Sequence, residues 1–313
     1  MLYSIDSCGG ASGITPDNIP PDGITVGCLS AQEFASAYQE LGFPDFCVRA
    51  FHMPHTRFSN GFEVYDHFSY GVLHLLDVQH VRRERRKVAL FIRKNLVLLV
   101  TASDPSGIFE EQVQGVLDHT GTAFTMERFI SRLFTGWITG SSEMLEQYER
   151  RIVEMEGNIW DNHIGSDFNR HMLRMKTELV IRREFYDELA DAAETIQADE
   201  NDLFGDDETF VHLRIAVKKL RRLSDNAQLL CENLVHVREA YQSAMDYRLN
   251  EIMKIFTVIT AVFLPLSLIA SWYGMNFVNM PELHWKYGYV SVACMSVLVA
   301  GICFWIFKRK KWL

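Results

Sequence analysis

The chain has 313 residues, of which 48% are hydrophobic and 23% charged, with a formal net charge of −9 at pH 7. That acidic balance excludes nucleic acid as the main partner, because phosphate recognition needs a basic surface. The mean hydropathy of −0.03 averages about 250 residues of ordinary soluble composition, enough for one or two cores, with an apolar end of about 60 residues.

Residues 1–140 read as a cytosolic α/β domain. Met1–Gly13 has neither a basic start nor an apolar run, so no secretory signal is expected. Val88–Ile92 and Leu96–Val100, joined by Arg93-Lys94-Asn95, predict a β-hairpin. Phe46–Phe51 and Phe62–Tyr65 are further strand candidates, while Ala31–Leu41 and Gly107–His119 have helical periodicity. His52, His55 and His67 could ligate a transition metal, although histidines scattered through an α/β domain are more often structural. The six cysteines (Cys8, Cys28, Cys47, Cys231, Cys294, Cys303) contain no CxxC pair. They suit reduced thiols in a cytosolic domain and two buried membrane positions.

Residues 141–208 form a cytosolic helical segment with an acidic end. Between Glu184 and Glu208 there are 11 acids and no Lys or Arg. Such a run is either a solvated helix end or a cation-attracting, regulatory surface. Residues 209–273 then read as a long stalk helix continuous with a first transmembrane helix. The 63 residues from Val211 to Tyr273 contain no Gly and one Pro, Pro265, and would extend about 95 Å at helical rise.

Ile255–Tyr273 is 19 residues without a charge, and Gly288–Phe307 is another 20. Each is long enough for a bilayer core of roughly 30 Å. Residues 274–287 are then an external loop, residues 288–307 the second transmembrane helix, and residues 308–313 a basic cytosolic tail. Lys308–Lys311 places the C-terminus in the cytosol, and two spans return the N-terminal part to the same side. Both termini are expected to be cytosolic, in a bacterial inner membrane. Lys218-Lys219, Arg221-Arg222 and Lys308–Lys311 are read as a basic collar for anionic lipid headgroups.

Along the stalk, every seventh residue from Asp225 is Asp225, Glu232, Glu239, Asp246, Met253, Thr260 and Ser267. The neighbouring row is His236, Ser243, Asn250, Thr257, Leu264 and Ser271. These rows would be apolar in an ordinary coiled coil. Here they are acidic in the cytosol and mostly hydroxyl- or amide-bearing towards the membrane. Polar groups at membrane depth face protein or water rather than lipid, so several copies turning this stripe inward would enclose a polar tube. The competing reading is that each hydroxyl bonds its own helix backbone. A tube from one helix per chain requires a homo-oligomer with cyclic symmetry. At its external mouth, Gly274 offers a helix stop and Asn276 a neutral carboxamide oxygen. A ring of weak, hard acceptors suits Mg²⁺ held through its hydration water, and weak binding permits release.

The stretches Asn250-Glu251-Ile252-Met253-Lys254, Pro265 with Ser267, Tyr273-Gly274-Met275-Asn276-Phe277 and Met280-Pro281-Glu282-Leu283 resemble the CorA family of magnesium transporters. So does the ending Lys308-Arg309-Lys310-Lys311-Trp312-Leu313. The resemblance is dense over residues 250–313 and looser before them. It implies a funnel-shaped homopentamer: an α/β cytosolic domain, a long α-helical stalk and two transmembrane helices. It implies a selectivity filter at Gly274, Met275 and Asn276, an inner polar ring at Asn250, apolar constrictions at Met253 and Leu264, and a hydroxyl at Ser267. Glu239 falls on the family's cytosolic-mouth acid, with Asp246 one stripe position further. Phe256 stands where a smaller aliphatic gate residue is usual. Ile215-Ala216-Val217-Lys218-Lys219 replaces the acids that bind regulatory Mg²⁺ between subunits, so the regulatory ligands stay unassigned.

The expected function is passive Mg²⁺ influx, gated by intracellular divalent cation, through a pore lined by Asn250, Met253, Phe256, Thr257, Thr260, Leu264, Ser267 and Ser271. Mg²⁺ is cargo and regulator, with Co²⁺, Ni²⁺ or Zn²⁺ as alternative cargo. A membrane-tethered scaffold or sensor that conducts nothing is the competing class. No GxxxxGK[ST] loop, nucleophile elbow or HExxH occurs, so neither a nucleotide nor an enzymatic reaction is expected.

Overall fold

The structure is a computed structural model. It describes residues 1–5, 10–20, 23–52, 61–102, 107–118, 124–161, 165, 167–200, 202–204, 210–275, 285–310 and 312. The chain divides into two compact units, Met1–Val237 and Arg238–Leu313.

The first unit is built on a seven-stranded sheet. Its strands are β1 (Leu2–Ile5), β2 (Ala11–Ile14), β3 (Ile24–Ser30), β4 (Gly61–Tyr65), β5 (Phe68–Leu75), β6 (Arg86–Arg93) and β7 (Leu96–Thr101), in the order β2-β1-β3-β7-β6-β5-β4. The hairpin expected around Arg93-Lys94-Asn95 is the β6–β7 pair, with Ile92 opposite Val97 and Arg93 opposite Leu96. Asn95 takes the positive φ of 63° that the tight turn demands, and asparagine tolerates it. All pairs are antiparallel except β3 with β7. Both strands lie in mid-sheet, so they read as apolar runs rather than alternations; all six residues of β7 are buried.

On the sheet lie α1 (Ala31–Ala37) and α2 (Asp45–His52). Ser30 caps α1 in a reciprocal capping box with Glu33, which accounts for a helix directly after a strand. The expected helix over Ala31–Leu41 stops at Ala37, and a turn follows. The strand expected at Phe46–Phe51 is instead α2. Pro44 and Asp45 favour a helix start there, and Cys47, fully buried, joins Phe34, Phe43 and Phe91 in the core. That burial pushes the Cys47 thiol up to about 12.

Helices α3 (Ile108–Asp118), α4 (Met126–Trp137), α5 (Ser141–Trp160) and α6 (Phe168–Ala198) complete the unit with the start of α7 (Val211–Tyr273). The helical pattern read over Ser141–Thr195 is therefore two helices. Leu213, Ala216, Val217, Leu220, Leu223, Ala227, Leu230, Leu234 and Val237 of α7 are buried, the three-four spacing of a helix with one face in a core. Burying each leucine fully is worth about 1.5–3 kcal/mol.

The second unit holds the rest of α7 and α8 (Gly288–Arg309). Both helices are long and apolar enough to cross a membrane. At the end of α8 the guanidinium of Arg309 lies 5.5 Å from the Trp305 ring, and the Lys310 ammonium 6.0 Å from Trp312. Aromatic rings beside cations are the usual furniture of a membrane interface.

Candidate functional site

Helix α7 carries nearly every residue that the sequence marked for an ion path. A repeat of seven residues advances about 10.5 Å along a helix, so Asp225, Glu232, Glu239 and Asp246 form successive acidic rungs. All seven positions of this row, and all six of the row from His236 to Ser271, are exposed in the single chain. The buried and half-buried residues of α7 lie elsewhere on its circumference. Between Ile255 and Tyr273 these are Val258, Ala261, Val262, Pro265, Leu266, Ile269 and Tyr273.

The apolar positions expected to narrow the path are open on the single chain: Met253 is 61% exposed, Phe256 62% and Leu264 70%. Asn250, Ser267 and Ser271 are exposed as well. The two threonines bond their own helix, Thr257 Oγ1 donating to Met253 O at 2.7 Å and Thr260 Oγ1 to Phe256 O at 2.8 Å. This backbone bonding does not remove them from cation chemistry. A hydroxyl whose proton is spent on the helix keeps its lone pairs as acceptors, the polarity needed by the outward-pointing protons of a hydrated cation.

The tip is described as far as Met275. Gly274 N donates to Ala270 O at 2.9 Å and Met275 N to Trp272 O at 3.4 Å, which ends the helix. The helix stop expected at Gly274 is present, and it is reached without a positive φ. What favours glycine there is space: an added Cβ would lie 3.0 Å from the Ala270 carbonyl oxygen. Asn276 lies outside the described residues.

Pro265 explains a contact that the sequence reading missed. Lacking an N–H, it leaves the Ala261 carbonyl without its helical donor, and Cys303 Sγ of α8 reaches that oxygen at 3.8 Å. On the single chain Cys303 is half-buried and Cys294 exposed. The missing donor was legible from Pro265; its replacement was not.

The start of α7 is held by two devices, also unforeseen. Glu127 of α4, 1% exposed, accepts from the backbone N–H of Leu213, where a carboxylate suits the positive end of a helix. Its other oxygen lies 3.3 Å from His212 Nδ1. Further along, Arg221 donates from Nε and NH2 to both oxygens of Glu194 at 2.8 and 2.7 Å, and from NH2 to Asp191 at 2.7 Å. Asp187 stands 3.6 Å from its NH1. The Arg221 hydrogen bond holds the Glu194 carboxyl below its ordinary value against the opposing effect of burial, and the pair raises Arg221 in return.

This arrangement corrects two expectations. The acids of α6 are not a free cation-attracting surface: Glu184 and Glu188 pair with Arg85, and Asp187, Asp191 and Glu194 with Arg221. Arg221 is consequently a clamp between α6 and α7 rather than part of a lipid collar. Lys218, Lys219 and Arg222 line a 610 Å³ groove between α5 and α7. Asp206, Asp207, Glu208 and His55 lie outside the described residues, and His67 is exposed in the β4–β5 turn. Among the described residues no group of three His, Cys, Asp or Glu side chains could hold a metal ion.

A mixed-sheet unit followed by a 63-residue helix and a second apolar helix defines a two-span membrane protein with a large attached domain. Residues 38–309 match the family described as CorA-like Mg²⁺ transporter protein, and the chain belongs to that family. It is 33% identical over 186 residues to the magnesium transport protein CorA of Wolinella succinogenes, covering 59% of this chain and 57% of that protein. It is 28% identical over 241 residues to the cobalt/magnesium transport protein CorA of Thermotoga maritima, covering 74% and 65%. The matched stretches thus span less than two thirds of these relatives' own length. The complete structure of the CorA magnesium transporter from Methanocaldococcus jannaschii superposes with a TM-score of 0.77 over 100% of this chain and 99% of that one. At 15% identity that likeness is one of fold.

Proposed function

We propose that this protein is a homopentameric channel admitting Mg²⁺ passively, down its electrochemical gradient. The carrying observation is the single-sided α7 stripe: 13 positions in two rows, exposed from Asp225 to Ser271, that pass from carboxylates to hydroxyls. Five copies turning these rows to one axis would give a path of mostly oxygen acceptors, interrupted by apolar rings at Met253 and Leu264.

In this reading the hydrated ion is captured through its water shell at Asn276, beside Gly274 and Met275. It passes Ser271, Ser267, Thr260 and Thr257, then Asn250, and leaves by the Asp246 and Glu239 rungs. Met253 and Leu264 close the path by dewetting, because a strongly hydrated ion does not cross a dry apolar ring; Phe256 adds bulk near the first. Internal divalent cation favours the closed state by binding it better than the open one. Both termini face the cytosol, and the cell membrane is the site of action.

Co²⁺ as additional cargo is favoured by the likeness to the cobalt/magnesium transport protein of Thermotoga maritima. The test is Mg²⁺ uptake into liposomes containing only the purified protein, with Co²⁺ and Ni²⁺ run beside it. Asn276→Ala is expected to abolish Mg²⁺ uptake while native mass spectrometry still finds five subunits. Undiminished uptake in that variant refutes the filter assignment, and absence of uptake by the wild type favours a scaffold or sensor.

A further inference from the structure

The row from Asp225 separates two unlike sides of α7. At about 100° per residue, Lys218, Leu229 and Arg222 lie about 20°, 40° and 60° from Asp225 on one side, and Arg221 and Gln228 about 40° and 60° from it on the other. The first side opens into the groove shared with α5. The second bonds α6, Arg221 donating to Asp191 and Gln228 accepting from Arg183.

The first side is cationic and uncovered. Lys218, Lys219 and Arg222 are exposed, and none of them has a hydrogen-bond or ion-pair partner among the described residues. The groove beside them also carries two acids, Glu146 and Glu149 of α5, but Glu146 pairs with Arg150 at 3.9 Å. Ile215 and Leu229, which line the same groove, are 59% and 55% exposed. Apolar area left open within a polar rim is the mark of a contact surface.

The second side is acidic in excess. Asp187, Asp191 and Glu194 share Arg221, and Arg183 lies 3.6 Å from Asp187. Glu232 accepts from Gln228, and Asp225 has no partner among the described residues. The remaining cation there is Lys176, which acts on neighbouring Cys231. Five carboxylates thus face three cations, and a carboxylate already holding one arginine keeps lone pairs for another donor.

Copies ringed with the Asp225 row towards the axis must present the first side of each to the second side of the next, because contacts around such an axis run head to tail. We propose that the α5–α7 groove seats the acidic side of a second copy of this chain. Lys218, Lys219 and Arg222 pair with that copy's Asp225, Glu232 and α6 carboxylates, and the contact covers Ile215 and Leu229. These side-chain cations do at the seam what a bridging divalent ion would do between two acidic surfaces, so the stalks associate without one. The seam presupposes the homo-oligomer and not conduction.

Zero-length carbodiimide coupling of the full-length protein in detergent tests it, since the reagent joins an amine only to a carboxylate within contact. Covalent dimers are expected on a denaturing gel, with peptides joining Lys218 or Lys219 to the acids named. Their yield should be unchanged after EDTA treatment and desalting, and should fall between about 0.05 M and 0.5 M salt. Lys218→Gln with Lys219→Gln should lower it about tenfold or more, and Arg222→Gln, which keeps both amines, about 1.5- to 5-fold. If the lysine pair variant does not fold, Arg222→Gln carries the comparison. Undiminished dimers in these variants, or dimers lost on chelation, overturn the proposal. A wild type that native mass spectrometry finds oligomeric but that gives no dimers overturns the seam alone, and an anionic lipid retained by it then names the occupant. A monomeric wild type overturns the homo-oligomer and the seam together.

Discussion

Arg221→Met isolates what holds the stalk helix to the acidic face of α6. The substitution keeps the aliphatic stem and removes a guanidinium bonded to both oxygens of Glu194 and to Asp191 at 2.7–2.8 Å. Arg221 is 39% exposed, with Asp187, Asp191 and Glu194 between 35% and 44%, so solvent screens every pair. Exposed pairs of this kind contribute about 0.2–1 kcal/mol each, towards the top of that range for a bidentate arginine. Removing the cation also leaves Asp187, Asp191 and Glu194 at helical spacing of four and three, repelling by a few tenths of a kcal/mol per pair. The expected loss is about 2 kcal/mol at about 0.05 M salt, falling by roughly half at about 0.5 M. Urea titration of the full chain in detergent, followed by the buried Trp137, reads it out.

The pH dependence follows from the direction of the Glu194 shift. Its folded carboxyl sits below the ordinary value of 4.5, so its contribution is complete above that value and disappears as pH falls through the folded value. The gap between wild type and Arg221→Met should therefore close on acidification. A gap that persists at low pH, ignores salt, or survives unchanged in a Glu194→Gln background would refute the ion-pair account.

Four further outcomes are expected. Glu127→Gln should weaken the cap on Leu213 N–H and cost about 1–3 kcal/mol, seen as faster exchange of amides in the first turn of α7. Leu220→Ala, at a fully buried position, should cost about 2–5 kcal/mol in the same urea assay. Gly42→Ala combines a φ of +78° with a Cβ placed 1.9 Å from Arg93 NH1, so it should break the Arg93–Leu41 carbonyl bond and lower the thermal midpoint by several degrees. Cys303→Ala should destabilise the α7–α8 pair by about 0.5–1 kcal/mol while Cys303→Ser does not, measured by thermal unfolding in detergent.

Periodicity carried the sequence reading furthest where one physical demand dominated. The apolar lengths of α7 and α8 answer to bilayer thickness, and the Arg93-Lys94-Asn95 turn announces a hairpin on its own. Phe46–Phe51 misled because a short apolar run fits either a strand or a buried helix, and the deciding signal, Pro44-Asp45, lay outside the run. β1 and β3 are short and weakly patterned, and pairing decides what propensity leaves open, as β3 with the distant β7 shows. At the site, the α7 rows were legible because a helix repeats visibly in one chain. The Glu127 cap, the Arg221 clamp and the Cys303 contact join elements 27 to 86 residues apart, and no local pattern encodes them. The acids of α6 looked free only because their arginine partners are distant in sequence.

The single parallel pairing of the sheet, β3 with β7, joins Thr25–Ser30 to Leu96–Thr101. Its cost falls during translation. When β3 leaves the ribosome its only neighbour is β1, and the backbone donors along its other edge wait some seconds until Thr101 has been made. A nascent chain stalled in that interval would present a bare, sticky apolar edge, and holdase chaperones would be expected to engage it there rather than at the later helices.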